Sequence, residues 1–334
     1  MLLNPSIMAL ILVSAVVSFM LLLSAGFSLK IVRHWDIYSG SEQQLQLERG
    51  TYLISTLLIF AFIAELVSLL LFIYNAEAMS SQFVGAMCAT GVLNINAWGW
   101  PTLFLKIAVF FSGAVWLSLN YLDNQGYDYP LIKLKYALLL VITPLVIFEA
   151  VAQLRYFLAL DPDIITSCCG ALFTPESAGV AAEVSGLKPR AAMFALYGTG
   201  STAIISGSWY RWKQSGGLFF ATASIMAFIV AITAIISYVA LYVYEHPHHH
   251  CPFCLLKSGH DFAGYFLYVP LFLATALALA TGILSPFKNI PSLKDAIEQD
   301  VSRLSGFAVL AFIIFYALAT FYVVNSNLTM DGVW

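Results

Sequence analysis

GLFFATASIMAFIVAITAIISYVALYVYEHPHHHCPFC, residues 217–254, decides the fold and raises the question of function within 38 residues. From Gly217 to Tyr244 there is no Asp, Glu, Lys, Arg or His. A helix needs roughly 20 mainly apolar residues to cross a hydrocarbon core, and lipid offers its backbone no other hydrogen-bond partner. The stretch from Gly217 to Glu245 is therefore expected to span a bilayer, and four histidines and two cysteines emerge where it ends.

Working outward, seven further stretches read the same way: Ser6 to Val32, Thr51 to Asn75, Pro101 to Leu122, Leu134 to Leu160, Ala191 to Trp212, Gly264 to Phe287 and Leu304 to Asn325. The whole chain of 334 residues is 60% hydrophobic and 10% charged, with a mean hydropathy of +0.85. Soluble domains carry about 25% charged residues. The expectation is an all-α polytopic membrane bundle of about eight transmembrane helices, a single integral membrane domain over 1–334. Its four hairpins are joined by outer loops at 76–100, 161–190 and 246–263. No Lys or Arg precedes the first apolar run, so it reads as a permanent helix rather than a removable signal.

Net charge is −3 and no basic run suggests nucleic acid. Ten of the 15 Lys and Arg fall at or beside the loops after the odd-numbered spans, among them Lys30, Arg33, Lys133, Lys135, Arg211 and Lys288. Lys188, Arg190 and Lys257 lie in the opposite loops. Cytoplasmic loops carry the excess of Lys and Arg, so both termini and the cysteine-bearing loops are expected to be extracytoplasmic, in a membrane of bacterial inner-membrane type.

All five cysteines lie in those outer loops: Cys88, the adjacent Cys168 and Cys169, and Cys251 with Cys254. Thiols confined to one aqueous face suggest exchange or pairing in an oxidising compartment. In Cys251-Pro252-Phe253-Cys254 two sulfurs come within bonding range, with Cys251 the candidate attacking thiol and Cys254 the resolver. Cα atoms of adjacent residues are about 3.8 Å apart, below the usual disulfide range, so Cys168 and Cys169 are expected to pair elsewhere, Cys88 being an available partner.

This Cys-x-x-Cys resembles that of thioredoxin-like proteins. It also resembles the pair outside a span in the quinone-linked thiol oxidases of the vitamin K epoxide reductase and bacterial disulfide-bond-forming B families. The resemblance implies a quinone as electron acceptor and a thioredoxin-like or other extracytoplasmic redox protein as partner, besides the lipid bilayer.

The same loop offers a metal set. His246, His248, His249 and His250 with Cys251 and Cys254 present imidazole and thiolate ligands suited to Zn(II) or Cu(I). Covalent c-type haem is not expected, because Leu255 follows Cys254 where the attachment signature has a histidine. No histidine lies inside a span to hold a membrane haem.

Within the spans stand Glu65, Lys106, Glu149 and Arg155. Ionisable groups at membrane depth pair, face the interior or mark a pathway. Lys106 and Arg155 are near enough to the outer ends to snorkel. Glu65 and Glu149 are candidate proton acceptors, or structural partners as Glu65 with Lys106 and Glu149 with Arg155. Three functions stay open: a membrane thiol-disulfide oxidoreductase or electron-transfer protein, a Zn/Cu binding or transport protein, and an anchor subunit docking a periplasmic redox partner.

Overall fold

A computed structural model describes residues 4–164, 184 and 186–330. Among them the chain is helical, without strands. Eight helices of 18 residues or more follow one another: α1 Pro5–His34, α2 Glu42–Met79, α3 Gly99–Asp123, α4 Ile132–Leu158, α5 Pro189–Lys213, α6 Gly217–Ala234, α7 Ala263–Leu284 and α8 Ser302–Val324. Seven of them, counting the turns that extend α2, α6, α7 and α8, are long and apolar enough to cross a membrane. The protein is thus an integral membrane protein of helical-bundle type.

The remaining helix, α5, covers the expected span Ala191 to Trp212 and is 25 residues long, but it is less apolar. Its sequence explains why. A methyl group at Gly200 would overlap the Tyr316 ring, and one at Gly207 would crowd Phe220 and Val309, so small residues set how closely α5 approaches its neighbours. Thr199, Thr202 and Ser206 return their hydroxyl protons to carbonyls one turn back in the same helix. The polarity of these three residues is spent inside the helix itself, while the Tyr197 hydroxyl bonds Thr320 of α8.

The chain forms two compact units. Unit 1 comprises residues 1–76, 93–161 and 287–297. There α4 packs on α1 and α3, and α2 closes the core through Leu58 and Phe62, the latter 4.9 Å from the Trp116 ring. Helix α2 begins at Glu42, nine residues before the apolar run, because Gln44 and Gln46 bond Glu48 and Glu42 one turn away and support a polar first turn.

Unit 2 comprises residues 77–92, 162–286 and 298–334. Its four helices form a closed ring, α5 on α6, α6 on α7, α7 on α8 and α8 on α5. Alanines fill the middle: Ala203, Ala227, Ala231, Ala274, Ala278 and Ala308 are fully buried. Helix α6 continues through a wide i→i+5 turn at Ile235–Val239 into Ala240–Tyr244. Such a turn carries one residue more than an α turn and frees a carbonyl from the ladder.

Candidate functional site

Two loops of unit 2 converge on a cluster of sulfur. The first follows α2. Its chain turns at Gly85, with φ of 87°, and passes Cys88 into a short helix, Ala89–Leu93. Gly91 must be glycine for this turn to close, since a Cβ there would stand 2.8 Å from the Ala86 Cα. The second loop follows α6 and carries Cys251 and Cys254, the latter opening a 3-10 turn to Leu256. The Sγ atoms of Cys88, Cys251 and Cys254 all lie within 4.8 Å of one another. Cys88 Sγ and Cys251 Sγ are 3.3 Å apart, across 163 residues of sequence. That is contact, but well beyond the roughly 2.05 Å of a disulfide bond.

The cluster is sealed. Cys88 and Cys251 are 0% exposed and Cys254 7%. Thr90 Oγ1 touches Cys251 Sγ at 3.2 Å. Tyr244 donates its hydroxyl proton to the Cys251 carbonyl, and Tyr268 donates to the Pro252 carbonyl at 2.8 Å, so two phenols fix the Cys-Pro-Phe-Cys backbone. Buried backbone oxygens need such donors.

One cation joins the two loops. Lys257 pairs with Glu77 at 3.2 Å and donates to the Met87 carbonyl, while Glu77 accepts the Ala89 amide at 2.8 Å. Partial burial works against the Lys257 charge, but Glu77, then Cys254 and Cys88, favour it, and its pKa is raised. An ammonium is thus fixed beside the sulfurs, and a neighbouring positive charge favours thiolate over thiol.

The histidines have other partners. His250 Nδ1 stands 3.0 Å from the Ile236 carbonyl, in the wide turn of α6. Burial pushes the His250 pKa down, against the pull of that carbonyl, so the ring is neutral at neutral pH and donates Nδ1–H. His249 and His260 lie against Tyr244, with centroids at 4.1 and 4.5 Å, and His246 Nδ1 accepts the His248 amide. The structure thus brings Cys251 and Cys254 together with Cys88 and leaves His246, His248, His249 and His250 outside the sulfur triangle. Cys168 and Cys169 lie outside the described residues.

The intramembrane charges gather in unit 1. Lys106 does not snorkel: it is 1% exposed and meets Glu149 Oε1 at 2.8 Å. It also donates to Ser68 Oγ at 2.9 Å, and Ser68 donates to Glu65 Oε2 at 3.0 Å. Lys106 therefore takes the place beside Glu149 that the sequence offered to Arg155, which is exposed. Two buried carboxyl groups gathered around one lysine were not anticipated.

Sequence reasoning also missed Lys257, Glu77, Tyr244 and Tyr268. Lys257 did carry a signal, since it stands against the charge bias of its loop and three residues after Cys254. The phenols carried none, because a tyrosine at the end of a span reads equally well as an interface anchor. Comparison of the chain with protein-family models, with curated proteins and with solved structures finds no match.

Proposed function

We propose that this protein is a multi-pass membrane protein whose Cys88, Cys251 and Cys254 hold a soft transition-metal ion, Cu(I) or Zn(II), in binding or transport. One observation carries the reading: three buried thiols from two loops lie within 4.8 Å of one another. A metal–thiolate bond is about 2.3 Å, so three sulfurs around one ion stand about 4 Å apart, which this triangle accommodates with little movement. Thiolates are soft donors and select Cu(I) and Zn(II). Three of them suit Cu(I); Zn(II) calls for a fourth ligand. The Lys257 ammonium offsets part of the negative charge of the set. Relative to the ligand set read from sequence, Cys88 takes the role given to the histidines.

Eight spans fit this reading, with α5 as the eighth, the hydroxyls of Thr199, Thr202 and Ser206 satisfied within the helix. The Lys and Arg bias then supports extracytoplasmic termini and an extracytoplasmic sulfur cluster in a bacterial inner membrane, within one integral membrane domain.

A second reading is thiol-disulfide exchange, favoured by the 3.3 Å contact of Cys88 and Cys251. Oxidation of that pair would release two electrons and two protons to an acceptor, a quinone or the disulfide of a thioredoxin-like partner. Attack of the Cys254 thiolate on Cys251 would then form the Cys251–Cys254 bond and release Cys88 as thiolate. Full burial weighs against it, since exchange needs an attacking sulfur to reach the pair.

Metal content and thiol reactivity measured on one membrane preparation separate the two. The metal reading expects about one equivalent of copper or zinc per chain, and thiols that an impermeant alkylating tag reaches only after a chelator strips the ion. Metal-free protein, with Cys88 and Cys251 cycling between oxidised and reduced forms, would overturn it in favour of exchange.

A further inference from the structure

We propose that Glu65 is a proton-binding site in the interior of unit 1, taking up and releasing one proton while Glu149 stays ionised against Lys106. The inference is independent of the sulfur cluster. Three groups on three helices set it up: Glu65 on α2, Lys106 on α3 and Glu149 on α4. They are 2%, 1% and 0% exposed. With both carboxylates ionised the group carries one net negative charge, which burial at membrane depth makes costly. One added positive charge balances it.

The geometry assigns that charge to Glu65. Lys106 Nζ lies 2.8 Å from Glu149 Oε1 but reaches Glu65 only through Ser68, along a chain of two hydrogen bonds. Glu65 Oε1 and Glu149 Oε2 are both buried without a hydrogen-bond partner among the described residues, but only Glu149 has the Lys106 ammonium in direct contact to keep it ionised. Of two buried carboxyls that each keep a bare oxygen, the one without the ammonium in contact is where a proton is best placed. A metal cation fits poorly, because it would need several oxygens and would stand close to the Lys106 ammonium; a proton needs one oxygen.

Among the described residues, no third acidic group joins Glu65 and Glu149 at this lysine. Helix α1, packed on α4, offers Ser14 and the Leu10 carbonyl, both taken by Gln153, and has no titratable residue before Lys30. Phe72 faces Lys106 with its ring at 5.7 Å. The arrangement exceeds what a structural ion pair requires. Lys135 and Asp123, also in unit 1, form a one-to-one pair at 2.7 Å with Asn120 as third partner.

The test is infrared difference spectroscopy of the full chain in lipid nanodiscs, following the carbonyl stretch of protonated carboxyl groups from about pH 5 to pH 9. The expected result is one buried carboxyl that titrates in wild type, is absent in Glu65→Gln and is unchanged in Glu298→Gln, an exposed control. Ser68→Ala should keep the amplitude and move the midpoint. A titrating carboxyl that persists in Glu65→Gln places the proton elsewhere and overturns the proposal, as does a wild type in which none titrates. If Glu65→Gln does not fold, an unmoved midpoint in Ser68→Ala overturns it equally.

Discussion

The two compact units hide polar groups in opposite ways. Among the described residues, every Lys, Asp and Glu that is buried belongs to unit 1: Glu65, Lys106, Asp123, Lys135 and Glu149. Both units bury phenols, Tyr136 and Tyr156 in unit 1 and Tyr210, Tyr238 and Tyr242 in unit 2, but among the described residues the buried thiols belong to unit 2, whose Lys257–Glu77 pair is part-exposed. Unit 1 is therefore held by charge balance, and removing one partner strands another. Unit 2 is held by packing and neutral donors, so its interior tolerates ionisation only where something positive meets the thiolates. The first arrangement is suited to handling protons and the second to handling a soft cation.

The largest expected effect breaks the balance of unit 1. Lys106→Met leaves the buried Glu149 carboxylate without its ammonium, and loss of one partner of a buried pair costs about 3–5 kcal/mol. Thermal unfolding in detergent measures it, with Lys133→Met as the exposed reference. The double variant Lys106→Met with Glu149→Gln should recover most of the loss, since no ion is then stranded. A single variant as stable as the reference would mean that unit 1 does not depend on charge balance at all.

The next effect belongs to unit 2. Replacement of Cys88, Cys251 or Cys254 by serine should abolish metal retention, and each variant should melt where chelated wild type melts. An ion held at 100 times its dissociation constant stabilises by about 2.7 kcal/mol. Chelation should lower the melting point of Lys106→Met as much as that of wild type, because the two units store polarity separately. Smaller again is Gly200→Ala, where overlap with the Tyr316 ring should cost about 1–3 kcal/mol.

Much of unit 1 and of the ring of unit 2 was legible in the sequence, because a run such as Gly217–Tyr244 has one physical solution in lipid. Helix α5 shows where legibility fades: its glycines and hydroxyls depress hydropathy while serving the close packing of a membrane helix. The Cys-Pro-Phe-Cys half of the sulfur cluster was also plain, since local spacing alone brings those thiols together. Cys88 was not, as its approach to Cys251 depends on a contact closed over 163 residues. The histidines misled for a physical reason. Adjacency to cysteine suggests shared ligation, yet His250 faces the Ile236 carbonyl in the wide turn of α6, and no periodicity announces such a turn.

The smallest expected effect is the most discriminating. If Glu65 is the carboxyl that accepts the balancing proton, Glu65→Gln replaces a neutral acid by a neutral amide of nearly the same shape. The amide oxygen can still accept from Ser68, and the change in stability should stay within about 1 kcal/mol, the size of one neutral hydrogen bond. Glu149→Gln removes the carboxylate in direct contact with Lys106 and should cost more, because the ammonium must then rely on Glu65 through Ser68. Unfolding of the two variants side by side at neutral pH decides it. Equal costs would mean that both carboxylates are ionised and share the ammonium, and that unit 1 carries a buried net charge; a cheap Glu65→Gln beside a costly Glu149→Gln means that its interior is neutral with one proton bound.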